Sequence, residues 1–142
     1  MRRPFLALLL LAAAGALPSA SAFAGPAGDR ARSHLEAIAA GDVAAITADY
    51  VPGSLFQWVG GPLDGVYAGP QEIASVWAKF AKAQAPLSLQ LTALDEAANP
   101  KGATVTASLV LKGKATIPLR YVLVYRNDKL VDEVWQIAPP AK

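Results

Sequence analysis

Apolar residues recur at helical spacing in two parts of the N-terminal half of the chain. Residues 29–40, DRARSHLEAIAA, predict a first helix, and Asp42 caps a second helix over residues 43–50. A third helix begins at Gly69-Pro70, because proline suits the first position of a helix. Its apolar stripe follows the spacing i, i+3, i+4, i+7 and consists of Ile73, Val76, Trp77 and Phe80.

Alternation of apolar and polar residues predicts strands elsewhere. Two short strands, 54–59 and 64–69, precede the third helix. Four longer strands follow it, at 87–94, 103–112, 117–126 and 129–138, with residues 95–102 expected to connect the first hairpin. Helices followed by antiparallel strands are typical of an α+β fold, in which the helices pack on one face of a strongly bent sheet.

Strand 117–126 is predicted to have two different faces. Leu119, Tyr121, Leu123 and Tyr125 form one face, whereas the other is apolar in its middle and charged at its ends. Val134 and Leu130 of the last strand are expected to extend this second face. An apolar patch with a charged rim indicates a partner, although valines are also frequent in strands for their β-propensity alone. The apolar and charged positions of the second face are Arg120, Val122, Val124 and Arg126.

The N-terminal segment predicts a signal peptide over residues 1–22. It has two arginines, then an apolar run that is shorter than the roughly 20 residues of a membrane span, then small residues. Cleavage is expected after Ala22 or Ala24, which leaves one domain over residues 23–142. We therefore expect an exported protein, periplasmic or secreted, without a membrane anchor.

Charge and composition narrow the classes of function. The chain has 13 Lys+Arg and 11 Asp+Glu, so the loss of Arg2 and Arg3 leaves 11 of each. A balanced domain lacks the basic face that nucleic-acid binding needs, and no nucleic-acid partner is expected. With no cysteine and a single histidine, a zinc site of ordinary composition is excluded, and we expect neither metal nor cofactor.

The stretch HLEAIAAGDVAAITADYVPGSLFQWVGGPLDGVYAGPQEI, residues 34–73, resembles the nuclear transport factor 2-like superfamily, including its snoal-like polyketide cyclase and ketosteroid isomerase branches. The strongest local signals are Ala40-Gly41-Asp42 and Tyr67-Ala68-Gly69-Pro70. The resemblance implies a cone-shaped fold, with three N-terminal helices packed on a strongly curved antiparallel sheet around an apolar pocket. It also implies a homodimer through the outer sheet face.

The resemblance places three residues at positions that are functional in ketosteroid isomerases. His34 falls where those enzymes carry an oxyanion-hole tyrosine, and Tyr121 falls near their protonated aspartic acid. Trp58 falls where they carry the aspartate base, and an indole cannot take a proton from carbon. An isomerase mechanism of that type is therefore not expected.

One carboxylate is a candidate for the interior. Glu133 shares a strand face with Trp135, so both enter the cone if either does, and His34 is the predicted partner of the carboxylate. The alternative is that Glu133 reaches solvent at an edge and that His34 bonds a backbone carbonyl. The residues predicted to bind a ligand, which could also be simple core, are His34, Tyr50, Trp58, Trp77, Phe80, Tyr121, Glu133 and Trp135.

These observations support a first hypothesis and two alternatives. The first is an exported, non-catalytic domain that holds a small apolar or aromatic molecule in the cone. The second is an enzyme of the isomerase, cyclase or dehydratase kind, with His34 and Glu133 as its acid–base pair. The third is a structural adaptor that acts through the outer sheet face. The sequence leaves open whether the protein is an enzyme, because one fold hosts many functions.

Overall fold

The computed structural model describes residues 25–139. The predicted signal peptide and its two cleavage positions lie outside the described residues. The helices are α1 (Pro26–Ala40), α2 (Val43–Thr47) and α3 (Gly69–Gln84). The strands are β1 (Tyr50–Val59), β2 (Gly65–Ala68), β3 (Ser88–Asn99), β4 (Gly102–Lys112), β5 (Thr116–Arg126) and β6 (Lys129–Ile137).

The six strands form one curved, open sheet in the order β2-β1-β6-β5-β4-β3. All neighbours are antiparallel except β1 and β6, which run parallel. Helix α1 packs against β3 and β4, and α3 packs against β1 and β2. The predicted α+β fold is therefore confirmed, but only two of the described helices are long, and β1 and β2 separate α2 from α3.

Helix α1 begins three residues earlier than the sequence predicts. Pro26 occupies its first turn, and the backbone N–H of Gly28 donates to Glu96 Oε2 of β3 over 2.7 Å. The capping carboxylate thus comes from a strand 68 residues away, which local sequence patterns cannot show. At the other end, Gly41 adopts the left-handed conformation that closes a helix. None of the described helices is long and apolar enough to span a membrane.

The prediction that the second helix extends to residue 50 is wrong. Helix α2 ends at Thr47, and Tyr50 begins β1, where it pairs with Leu130 of β6. The pairing is irregular between Tyr50 and Leu55, and the buried hydroxyl of Ser54 donates to the Leu130 carbonyl there over 2.7 Å. Pairing with a distant strand thus overrides the local helical pattern, and it brings Tyr50 into the interior.

The predicted hairpin connection over residues 95–102 is also wrong. Strand β3 continues to Asn99 and pairs with Gly102 of β4. A β-bulge between Leu91 and Ala93 shifts the alternation of β3 by one residue. Such a shift exchanges the two faces of a strand, so the apolar–polar alternation after the bulge is out of phase with the alternation before it. The sequence pattern therefore does not predict that the strand continues.

The outer sheet face agrees with the prediction except at one position. Val122, Val124 and Val134 lie on it half-buried, and Val66 of β2 adds a side chain that is 66% exposed. Leu130 was expected there but is fully buried on the inner face. The irregular pairing of β5 with β6 places Leu130 opposite a buried tyrosine, which reverses its direction.

Candidate functional site

Glu133 lies on the inner face of β6 and is only 1% exposed. Its Oε2 accepts hydrogen bonds from His34 Nε2 and from the Tyr121 hydroxyl, each over 2.5 Å, and its Oε1 accepts from the Tyr50 hydroxyl. Hydrogen bonds to a charged acceptor are about twice as strong as neutral ones, and a buried carboxylate without them is very unfavourable. We call Glu133 and its three donors, His34, Tyr50 and Tyr121, the Glu133 cluster.

The Glu133 cluster joins side chains from four elements, of which α1 and β1 are far in the sequence from β5 and β6. His34 comes from the apolar face of α1, Tyr50 from the start of β1, and Tyr121 from β5. In the sheet, Tyr121 pairs with Trp135, two residues along β6 from Glu133, so its hydroxyl reaches the carboxylate diagonally. The cluster therefore ties α1 to the centre of the sheet.

Trp77 of α3 adds an outer contact to the Glu133 cluster. Its indole Nε1 donates to the Tyr50 hydroxyl over 3.1 Å, while that hydroxyl donates to Glu133. The rings of Tyr50 and Trp77 both meet the His34 ring nearly at right angles, with centroids 6.0 and 6.5 Å from it. These contacts hold the imidazole and the hydroxyl in fixed orientations.

The tyrosines of the site are held in their neutral form. Burial raises the pKa of Tyr50 and of Tyr121 well above the ordinary value near 10, and the charge of Glu133 raises both further. Burial also raises the pKa of Tyr125, followed by the charges of Glu133 and Asp49. The hydroxyls therefore remain hydrogen-bond donors at neutral pH.

A surface pocket of about 370 Å³ opens over His34, between α1 and the segment that runs from α2 to the residue before β1. The guanidinium of Arg30 lies 4.0 Å from Asp49, which also lines the pocket, and 3.7 Å from Asp128 outside the lining. His34 is thus both a lining residue and the contact to the buried carboxylate, which links the surface to the Glu133 cluster. The lining residues of this pocket, which we call the His34 pocket, are Asp29, Arg30, Ser33, His34, Ala45 and Asp49.

The polar lining of the His34 pocket was not predicted from the sequence. A signal was present, because Arg30 lies four residues before His34 and Asp29 four residues before Ser33, the spacing of neighbours on one helical face. Asp49 could not be placed beside them, because it follows a helix whose end was predicted incorrectly.

Next to the Glu133 cluster, aromatic rings fill the interior. Five rings pack with centroids 4.4 to 5.8 Å apart, and each residue is at most 4% exposed. The Nε1 of Trp135 is buried and has no hydrogen-bond partner among the described residues. We call this group the aromatic cluster; its members are Phe56, Trp58, Trp77, Phe80 and Trp135.

The structure brings all eight predicted ligand-binding residues into these two adjoining clusters. His34 and Glu133 are in direct contact, whereas the sequence analysis did not link Tyr50 to Glu133. The two donors implied by the isomerase resemblance, His34 and Tyr121, both bind Glu133, and Trp58 belongs to the aromatic cluster. Ligand binding by these residues stays a prediction. Within residues 25–139, no group of three or more histidine, cysteine, aspartate or glutamate side chains is placed to hold a metal ion.

Comparison with known protein families and with curated proteins found no match. Solved structures do match. One is a nuclear transport factor 2-like protein of unknown function from Pseudomonas putida, with a TM-score of 0.67 and 17% sequence identity, over 78% of this chain and 82% of that chain. The chain has the nuclear transport factor 2-like fold.

Two further structures with this fold contain ligands. A ketosteroid isomerase-like protein from Catenulispora acidiphila, in complex with trimethylamine, has a TM-score of 0.59 and 11% identity, over 75% of this chain and 83% of that chain. The orange carotenoid protein of Anabaena, binding canthaxanthin, has a TM-score of 0.67 and 11% identity, over 83% of this chain but only 38% of that chain. At these identities the likeness concerns the fold alone.

Proposed function

We propose that the chain is an exported, non-catalytic domain that binds a small molecule through the His34 pocket. The observation that carries this proposal is the double role of His34, which lines the pocket and contacts the buried Glu133 carboxylate. A polar cluster that reaches the surface at one point is a means of orienting a ligand. The cone shape and the signal peptide expected from the sequence belong to the same proposal.

The aromatic cluster supports an apolar or aromatic ligand. Its rings adjoin the Glu133 cluster through Trp77, and a planar molecule that parts them keeps its apolar surface out of water. The N–H of Trp135 also lacks an acceptor in the described part of the chain. An oxygen atom of a ligand there removes the penalty of an unsatisfied buried donor, about 1–3 kcal/mol.

The ligands in the two structures named above are compatible with this proposal. Trimethylamine is very small and canthaxanthin is a large molecule, and each is bound by a protein of which at least part resembles this fold. They support binding as a use of the fold, while the ligand of this chain follows from its own residues.

Native mass spectrometry of the exported protein, purified without denaturation, tests the proposal. We expect a species heavier than the bare chain, and denaturation should release the extra mass as a small molecule. Substitution Glu133→Gln should reduce the adduct, whereas Asp132→Asn, a change on the outer face of the same strand, should leave it unchanged. Only bare chain, at every stage of purification, contradicts the proposal.

A second candidate is acid–base catalysis, and the 2.5 Å contact between His34 and Glu133 favours it. A carboxylate bonded to one imidazole nitrogen orients the ring, so that the other nitrogen can take or give a proton. If the co-purified molecule is converted to a new mass by fresh protein, and His34→Ala binds it without converting it, the enzyme hypothesis replaces the non-catalytic one. Binding without conversion retains the first proposal.

The outer sheet face supports a homodimer, and it is also the surface that a structural adaptor would use. Val122 and Val134 face each other across neighbouring strands, and Val66 is largely exposed. Sedimentation velocity should show a dimer that Val122→Asp dissociates and that Gln71→Asp, at an exposed position of α3, does not. A monomer at micromolar concentration contradicts the homodimer.

A further inference from the structure

The His34 pocket carries more negative than positive charge. Asp29 and Asp49 line it, and Glu133 lies directly behind His34. Arg30 is the one cationic side chain among its lining residues, and it already lies near the carboxylates of Asp49 and Asp128. The positive charge of Arg30 is thus offset by its own partners, and an anion gains little from it.

The histidine adds a directed acceptor to this negative pocket. Its Nε2 is engaged by Glu133, and among the described residues none forms a hydrogen bond with Nδ1. A neutral imidazole that donates from Nε2 to a carboxylate carries its lone pair on Nδ1, and the carboxylate makes that nitrogen a better acceptor. His34 lines the pocket, and Nδ1 is its ring nitrogen without a partner among the described residues, so the neutral ring offers an acceptor for an N–H or O–H donor.

We infer that the His34 pocket binds the ammonium group of a small organic amine. One N–H of the ammonium donates to His34 Nδ1, and the carboxylates of Asp29 and Asp49 balance its charge. The N–H groups of a compact cation are donors, and the lining supplies acceptors for them in the two carboxylates and the imidazole. This inference rests on the proposed function and names the chemical class of its ligand.

One lining residue of the pocket is apolar. Ala45 lies among the polar side chains of the lining, and the buried rings of Tyr50 and Trp77 hold the His34 ring by near-perpendicular contacts. An amine with a short alkyl substituent therefore fits this surface better than ammonium itself.

Titration with methylammonium chloride tests the inference. Because His34 is the only histidine of the chain, its two ring ¹⁵N resonances need no assignment. We expect methylammonium to shift the Nδ1 resonance in a saturable way. Tetramethylammonium, which has the charge but no N–H, should bind about three- to tenfold more weakly, and acetate should not bind.

Variants locate the binding within the pocket. Asp29→Asn and Asp49→Asn should each weaken methylammonium binding by about three- to tenfold, since each removes one carboxylate near the cation. Glu36→Gln removes the same charge from an exposed position of α1 outside the lining and should change binding less than twofold. Circular dichroism confirms that each variant is folded before it is titrated.

The results separate this inference from the proposed function. Equal binding of acetate and methylammonium, or weakening by Glu36→Gln as large as that by Asp49→Asn, overturns the ammonium site. If native mass spectrometry still shows a neutral or anionic adduct in that case, the proposed function of small-molecule binding is retained and only the ammonium site is rejected. No probe bound and no adduct overturns both.

Discussion

Strand β6 carries two buried side chains that face the same interior, two residues apart, and their surroundings differ completely. Glu133 receives three hydrogen bonds, from α1, β1 and β5. Trp135 is equally buried and packs among rings, but its N–H has no acceptor among residues 25–139. One side chain is held by directed bonds to distant elements, and the other by shape and apolar contact.

This difference predicts how each half of the interior responds to change. Directed bonds to a buried charge fail together when the charge is removed, because every donor then lies unpaired in an apolar environment. Ring packing fails in proportion to the volume lost. Substitutions in the Glu133 cluster should therefore disrupt the whole cluster, whereas the aromatic cluster should accommodate small changes of side-chain volume.

The largest effect is expected for Glu133→Ala. It leaves His34, Tyr50 and Tyr121 without their acceptor, and we expect a loss of about 3–5 kcal/mol in the free energy of unfolding, measured by urea denaturation. Asp132→Ala, at the neighbouring exposed position, should change it by less than about 0.5 kcal/mol. A loss below about 1 kcal/mol for Glu133→Ala contradicts the importance given to the carboxylate.

The next effect is a loss of stability in alkali. Because the pKa of Tyr50, Tyr121 and Tyr125 is raised in the folded chain, the folded state keeps these protons above pH 10 while the unfolded chain releases them. The stabilisation is complete below pH 10 and declines as the pH rises, by up to about 1.4 kcal/mol per pH unit for each tyrosine.

Urea denaturation between pH 9 and pH 11.5 measures this decline. Tyr121→Phe should make the decline of the free energy of unfolding with pH less steep by the contribution of one tyrosine, since phenylalanine cannot ionise. The same slope in the variant and the parent protein indicates that Tyr121 ionises as easily when folded as when unfolded, contrary to its position beside Glu133.

The smallest effect compares two tryptophans of the aromatic cluster. Trp77→Phe and Trp135→Phe remove similar apolar surface, but only Trp77 donates to Tyr50. We expect Trp77→Phe to reduce the free energy of unfolding by about 1 kcal/mol more than Trp135→Phe. Equal losses indicate that the N–H of Trp135 has a partner of its own, such as a bound oxygen atom.

The apolar parts of this interior were predictable from the sequence. The stripe of α3 and the alternation of β4 and β5 are local patterns, and the structure buries the residues that they indicate. The phase of Glu133 with Trp135 on one strand indicated its inward direction as one of two alternatives, the other being an edge position that reaches solvent. These predictions held because each depends on neighbours within a few residues.

The partners of Glu133 were not all predictable, for a physical reason. Tyr50 enters the Glu133 cluster only because β1 pairs with β6 and ends the preceding helix early. Glu96 caps α1 only because a bulge in β3 changes its direction. Irregular strand pairing decides both, between distant strands for Tyr50 and within the β3–β4 hairpin for Glu96, and the pattern of a single sequence does not indicate it.

The state of the His34 ring is the most direct measure of the central claim, that Glu133 holds the imidazole by Nε2 and leaves Nδ1 free as an acceptor. A long-range ¹H–¹⁵N spectrum of the protein at neutral pH reports both nitrogens of this single histidine. The account predicts a protonated Nε2 and an unprotonated Nδ1 in the parent protein, with loss of this preference in Glu133→Gln. A proton on Nδ1 in the parent protein, or an unchanged spectrum in the variant, contradicts it.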